Sequence, residues 1–204
     1  MNLHTLGLNH DSAPVEVREK LAFSPSSVPV ALSSFAQSFP SSEIVILSTC
    51  NRVEIYATSK DDSLNKDTLL DFFSAFHELP KEEFADHMYH HQGINAVRHL
   101  FFVASSLNSG VLGETQIISQ VKEAYQTATT AETTGSILNQ LFQRSLTVAK
   151  DVHTKTAIGK GNISVSTVAV DLAIKIFKDF SEKTMFIIGA GEMCELVLKH
   201  LVER

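Results

Sequence analysis

The sequence has only two cysteines, Cys50 and Cys194, set in unrelated surroundings with no paired spacing. That excludes a disulfide framework and a cysteine-based zinc site, and it points to a reducing compartment. Positive charge is scarce too. Seventeen Lys and Arg face 23 Asp and Glu, for a net charge of −6, whereas a dedicated nucleic-acid binder is usually strongly basic. An RNA partner would have to be held by local patches. No apolar run approaches the ~20 residues that a membrane-spanning helix needs, and the opening MNLHTLGLNH lacks the basic stretch and apolar core of a secretion signal. The expected location is cytoplasmic. What the chain does have is 204 residues, 44% of them hydrophobic and 20% charged, the make-up of a soluble globular protein able to bury a sizeable core.

The stretch that organises the rest is IVILSTCNRVEIY, Ile44 to Tyr56. Ile44 to Leu47 has the length and composition of a buried strand. The polar cluster Ser48-Thr49-Cys50-Asn51-Arg52 interrupts it, and a second run follows in which Val53, Ile55 and Ala57 alternate with Glu54 and Tyr56. This spacing predicts a tight hairpin with Cys50 at its tip. A free thiol is only a few per cent thiolate at neutral pH, and a nearby guanidinium such as that of Arg52 raises the fraction. Cys50 therefore reads either as an activated nucleophile at a strand-end loop or as a small buried hydrophobe.

Around the hairpin, residues 1–91 read as strand, helix, strand, strand, helix, strand. The strands are Leu3–Leu8, the two arms of the hairpin and Asp86–His91. A short turn at Val15–Leu21 and a helix from Ser24 to about Phe39 precede the hairpin. An amphipathic helix, Asn65–Leu79, follows it and is ended by Pro80. Together they predict a ferredoxin-like βαββαβ layer of helices on an antiparallel sheet, in an α/β (α+β) chain. Residues 92–160 are helical, with apolar stripes on Val97/Leu100/Phe101/Ala104, Ile117/Ile118/Val121/Ala124/Tyr125 and Leu138/Leu141/Phe142/Leu146/Ala149/Val152. A long helix over Val165–Phe180 carries Val168, Leu172, Ile176 and Phe180 on one face. Met185–Ile188 then reads as a strand entering Gly189-Ala190-Gly191-Glu192-Met193-Cys194 and a helix, the opening of a dinucleotide fold whose free amides hold a pyrophosphate. Cys194 stands where glycine or alanine is commoner, so this fingerprint is weak by itself. A complete Rossmann domain needs more βα units, so the chain is expected to be part of a longer parent. His87, His90 and His91 invite a metal, but strand neighbours point to opposite faces and no carboxylate or cysteine is spaced to help, so no metal site is expected.

ILSTCNRVEIY resembles the signature of glutamyl-tRNA reductases, enzymes of the five-carbon route to tetrapyrroles, porphyrins and heme. Four further stretches resemble the same family in the same order: GLNHDSAPVEVREKLAF from Gly7, AVRHLFFVASSLNSGVLGETQIISQVKEAY from Ala96, LFQRSLTVAKDVHTKTAIGKGNISVS from Leu141 and FIIGAGEMCELVLKHL from Phe186. The resemblance implies a catalytic domain over 1–160, a linker helix over 161–182 and the start of an NADPH-binding Rossmann domain over 183–204. It implies reduction of glutamyl-tRNA(Glu) to glutamate-1-semialdehyde through a thioester, with Cys50 as nucleophile. An ester is a poor hydride acceptor because its alkoxy oxygen donates into the carbonyl, and a thioester donates less.

His99 matches a family histidine placed near the thiol, suited to proton transfer or to orienting the ester, though on an apolar helix it also reads as a structural histidine. Thr49, Asn51, Arg52, Ser109, Glu114, Thr115, Gln116 and Gln120 carry over as substrate-binding, Arg52 toward the substrate carboxylate and Glu114 toward the amine. Without the resemblance, residues 113–120 read equally as a capped, solvated helix start. Gly189 to Cys194 carry over to NADPH. The downstream aminomutase and a homodimer formed through a C-terminal domain are the further partners implied for the full-length protein. Asn108 stands where the family usually has aspartate, and Asp151 and His153 replace two usual arginines, which leaves fewer cations for tRNA phosphates. Two other classes stay open: a cofactor-free thiol acyl hydrolase or transferase, and a non-catalytic tRNA-binding regulator.

Overall fold

The computed structural model describes residues 2–61, 63–114, 116–159, 165–178, 180, 183–186, 188–189 and 192–202. Four strands, β1 (Leu3–Asn9), β2 (Ser42–Ser48), β3 (Arg52–Ser59) and β4 (Tyr89–Gln92), form one antiparallel sheet in the order β2-β3-β1-β4. The first helices are α1 (Val15–Leu21), α2 (Val28–Ser38) and α3 (Lys66–His77). This is the expected βαββαβ arrangement. α2 starts later than expected because Ser24 to Ser27 form a turn of their own, in which the Ser27 amide donates to Ser24 Oγ at 3.1 Å, and Pro29 occupies the helix's first turn. α3 has the start its sequence encodes. Asn65 accepts from the Thr68 amide at 3.0 Å, while Thr68 Oγ1 accepts from the Asn65 amide at 2.9 Å. The predicted strand at Asp86 begins only at Tyr89, since Ala85–His87 close a 3₁₀ turn first.

Every residue of β1 and β3 is buried, the polar ones included. The alternation of β3 thus marks two covered faces. One packs under α1 and α3; the other is covered by α4 (Ile94–Ala104) and α6 (Ser136–Lys155). α5 (Gln116–Thr130) lies along β2 at the sheet edge. That edge is paired and not left open: the Ile44 amide donates to the Thr133 carbonyl at 2.8 Å, and Thr133 Oγ1 donates to the Ile44 carbonyl at 3.1 Å. Glu43 accepts from the amides of Ile137 and Leu138 at 3.2 and 2.7 Å, so a carboxylate from β2 caps α6 and docks its first turn on the sheet.

The expected apolar stripes on α4, α5 and α6 are mostly core. The buried members include Leu100, Ala104, Ile117, Val121, Leu138, Phe142 and Ala149. α7 (Val165–Phe177) differs: Val168, Leu172 and Ile176, its apolar stripe, are exposed, whereas Ser166 and Val170 are buried. α8 (Glu192–Val202) packs on α7. Of Met185–Ile188, expected as a strand, the described residues 185, 186 and 188 belong to no sheet. A strand is defined by a neighbour, and none pairs with them among the described residues.

Candidate active site

Cys50 and Asn51 form a two-residue loop between Thr49 and Arg52, which pair through the Thr49 amide and the Arg52 carbonyl at 2.8 Å. Tight hairpins commonly use left-handed residues, and neither loop residue has positive φ. The Thr49 hydroxyl does the work a backbone carbonyl would do, accepting from the Asn51 and Arg52 amides at 3.2 Å each. Two more contacts hold the tip. The Asn51 carbonyl accepts from the His10 amide at 2.9 Å, and Arg18 donates through Nε to the Cys50 carbonyl at 3.4 Å and through Nη1 to the Ala13 carbonyl at 2.7 Å. Cys50 itself is exposed. A thiol presented to solvent on a braced turn is unlike the buried cysteine of an apolar core.

Arg52 departs from expectation. It is only 1% exposed and points under α4, where its Nη1 meets Glu54 Oε1 at 2.6 Å. Its Nη2 donates to the carbonyl and the side-chain oxygen of Asn108. The carboxylate that Arg52 holds here is Glu54's, and the residue ties the hairpin to the 105–114 loop. Asn108 also accepts from Asn9 Nδ2 at 3.2 Å, and Asn9 lies opposite Arg52 in the β1–β3 ladder.

Glu54 is fully buried and takes four donors. On Oε1 these are Arg52, the Tyr89 hydroxyl at 2.5 Å and His99 Nε2 at 2.8 Å; on Oε2 it is the Tyr56 hydroxyl at 2.5 Å. Burial alone would raise its pKa, but the Arg52 charge and the His99 and Tyr56 hydrogen bonds outweigh burial and hold it below the ordinary carboxylate range. Tyr56 and Tyr89 are pushed up, first by burial and then by the facing carboxylate, so both stay as hydroxyl donors. Gly7 makes the cluster possible. It sits between Glu54 and Tyr89 across three strands, and a Cβ there would lie 2.5 Å from the Val53 carbonyl oxygen and 2.7 Å from Glu54 Cγ. With no side chain at Gly7, Tyr89 reaches over β1 to Glu54.

His99 projects from α4 with its side chain 9% exposed, its ring stacked with Tyr56 and tilted against Tyr89 and His91. Glu114 is buried near the end of the same loop, and the Ser106 hydroxyl donates to its carbonyl. Among the described residues Ser109 Oγ is buried without a partner, as is His10 Nδ1, whose ring faces Gly110. Gln120 lines a hollow of about 290 Å³ with Leu47 and Ser48 at the end of β2. Gln116 opens α5, and Thr115 lies outside the described residues. The structure thus gathers Thr49, Cys50, Asn51, Arg52, Ser109 and His99 around β3 and the 105–114 loop. Glu54, Tyr56, Tyr89, Asn9, His10 and Arg18 were not singled out from the sequence as site residues. The available signal was Arg52, Glu54 and Tyr56 at strand period two, polar groups on one face, with a histidine on an otherwise apolar helix.

At the nucleotide end, Gly189 has φ +117°, a conformation that disfavours any side chain, and α8 starts three residues on with its first amides free of helix partners. Ala190 and Gly191 lie outside the described residues, and nothing is described of the Glu192 and Met193 side chains. Cys194 Sγ would lie 3.4 Å from a Cβ built on Gly189. A helix start offers free backbone amides of the kind that hold a pyrophosphate. Among the described residues no group of three or more His, Cys, Asp or Glu side chains is placed to hold a metal ion, and no helix is long and apolar enough to cross a membrane.

The profile for "Glutamyl-tRNAGlu reductase, N-terminal domain" matches residues 6–156, and that for "Shikimate / quinate 5-dehydrogenase" matches 171–204. The glutamyl-tRNA reductase of Geobacter sulfurreducens is 46% identical over 202 residues, which is 99% of this chain and 46% of that protein. The one from Brevibacillus brevis is 44% identical over 98% of this chain and 44% of its own. The solved structure of glutamyl-tRNA reductase from Methanopyrus kandleri superposes with a TM-score of 0.72 at 35% identity, covering 99% of this chain and 47% of that one. The chain spans just under half the length of these relatives.

Proposed function

Since the chain belongs to the glutamyl-tRNA reductase family, we propose that Cys50 takes the glutamyl group from glutamyl-tRNA(Glu) as a thioester, the first half of reduction to glutamate-1-semialdehyde in tetrapyrrole synthesis. Sγ attacks the ester carbonyl, the new C–S bond replaces the C–O bond to the terminal ribose, and the thiol proton ends on the ribose hydroxyl. His99 is assigned to carry that proton. The observation that carries the reading is the exposed Cys50 on a hairpin braced by Thr49, His10 and Arg18.

Ser109 Oγ and His10 Nδ1, buried without a partner among the described residues, supply polar groups for the aminoacyl ester, and Thr49, Asn51, Glu114, Thr115, Gln116 and Gln120 are assigned to the same substrate-binding set. Arg52 contributes by locking the loop that carries Ser109. NADPH, when bound, would supply the hydride that reduces the thioester. Gly189 and the first amides of α8 would hold its pyrophosphate. The setting is cytoplasmic, with charged tRNA as the partner.

Incubating the 204-residue chain with glutamyl-tRNA(Glu), quenching in acid and weighing the Cys50 peptide tests this. A mass increase of one glutamyl group that is absent in Cys50→Ser is the expected result. Glutamate released with no adduct would assign hydrolysis instead.

A further inference from the structure

The reading so far gives roles to Cys50 and His99 and none to Glu54, whose carboxylate takes four hydrogen bonds among the described residues. Glu54 is a fully buried carboxylate in the middle of β3, and three of its four donors converge on one oxygen. Two of those three come from residues already placed at the site, Arg52 and His99. A carboxylate only accepts, so the His99 nitrogen facing it, Nε2, must carry a proton. In a neutral ring that leaves Nδ1 as the basic nitrogen, and among the described residues Nδ1 has no hydrogen-bond partner. A carboxylate behind an imidazole fixes tautomer and ring orientation.

We propose that Glu54 is a positioning residue of the acyl-transfer site: one carboxylate oxygen holds His99 as its Nε2–H tautomer, Nδ1 free for proton exchange, and holds Arg52 in its latch on Asn108. The hairpin bearing Cys50, the loop bearing Ser109 and the helix bearing His99 then share one buried anchor. Gly7 belongs to the same device, because a side chain there would fill the space through which Tyr89 reaches the same oxygen. The groups facing His99 are Glu54 and Tyr56 from β3 and Tyr89 and His91 from β4, with Arg52 held on the same Glu54 oxygen. A purely structural ion pair would be satisfied by Arg52 and the tyrosines, and it would be indifferent to which nitrogen of His99 is protonated. The inference rests on the proposed acyl transfer for what His99 acts upon, and not for its tautomer.

The tautomer is read directly from long-range ¹H–¹⁵N spectra of the histidine-labelled chain at pH 7.5, with His99 assigned by the signals lost in His99→Phe. The expected pattern is a protonated Nε2 and an unprotonated Nδ1; a protonated Nδ1 with a bare Nε2 overturns the proposal. In Glu54→Gln the His99 signals should move toward a tautomer mixture. Formation of acyl-Cys50 should slow by about 10–100-fold, the usual effect of losing such a partner, with half-saturating glutamyl-tRNA nearly unchanged. A folded Glu54→Gln that acylates at the wild-type rate overturns the proposal. Should that variant fail to fold, the wild-type spectrum still decides. A wild-type chain that forms no adduct removes the proposed acyl transfer but leaves the tautomer to be judged on its own.

Discussion

Arg52→Met isolates what the buried pair contributes to folding. Methionine keeps most of the arginine stem and removes the charge, so Glu54 is left fully buried with two tyrosines and His99 but no fixed cation. Removing one partner of a buried ion pair costs about 3–5 kcal/mol, because the other charge stays desolvated. The two hydrogen bonds to Asn108 are lost as well, at about 1 kcal/mol each. Together these amount to about 5–7 kcal/mol before relaxation, a large share of the ~5–15 kcal/mol that holds a domain together.

The pH dependence of that cost separates a charge effect from simple loss of packing. In the native chain Glu54 is held below its unfolded value of 4.5, so its contribution is complete above pH 4.5 and is lost only as pH falls below it. Once Arg52 is gone, burial dominates and raises the Glu54 pKa above that value. The folded variant then binds a proton that the unfolded chain does not, and it gains stability as pH falls toward 4.5. The difference between wild type and variant should therefore narrow between pH 7.5 and 5. Urea unfolding followed by circular dichroism at the two pH values measures it. A cost under 1 kcal/mol at pH 7.5, or one that widens on acidification, refutes the argument that Glu54 is ionised and held by Arg52.

His77 gives a second acid-sensitive element: packed on Phe23, Phe73 and Phe76 with Nε2 unpartnered, it is held down to about 4 by burial, so stability should decline as pH falls from 6.5 toward 4. Partial exposure discounts the loss to ~1–2 kcal/mol, and His77→Gln should flatten that part of the stability–pH curve in urea titrations. Gly7→Ala should cost ~3 kcal/mol or more, since its methyl group would overlap the Val53 carbonyl and the Glu54 side chain; a thermal midpoint within a degree or two of wild type would show that the strands can part without penalty.

Much of the first ninety residues could be read from the sequence because its signals there are local. β1 and α1 follow from alternation and the Ala13-Pro14 break, and the hairpin from two apolar runs around a polar cluster. α3 follows from Asn65 and its phenylalanines. The second covered face could not be read this way. Alternation in β3 reports only that Val53, Ile55 and Ala57 oppose Arg52, Glu54 and Tyr56. Whether the polar set meets water or helices depends on α4 and α6, which begin some forty and eighty residues later. The same ambiguity governed the role of Arg52. Two positions from a thiol on a strand, an arginine is a plausible neighbour for that thiol, but period two also puts it beside Glu54, on the same face and of opposite charge.

That choice between neighbours has a physical basis. Buried without a cation, Glu54 would carry a desolvation cost of several kcal/mol, whereas a solvated arginine at the tip would gain at most about 1 kcal/mol from an exposed partner. The lower free energy lies with Arg52 turned inward, and that is where it stands. Cys50 is exposed while Arg52, two positions on, is committed to the interior, and the guanidinium that reaches the tip's backbone comes instead from Arg18 on α1. On this argument the burial of the ion pair follows from one requirement, which is to neutralise a carboxylate that the sheet has enclosed.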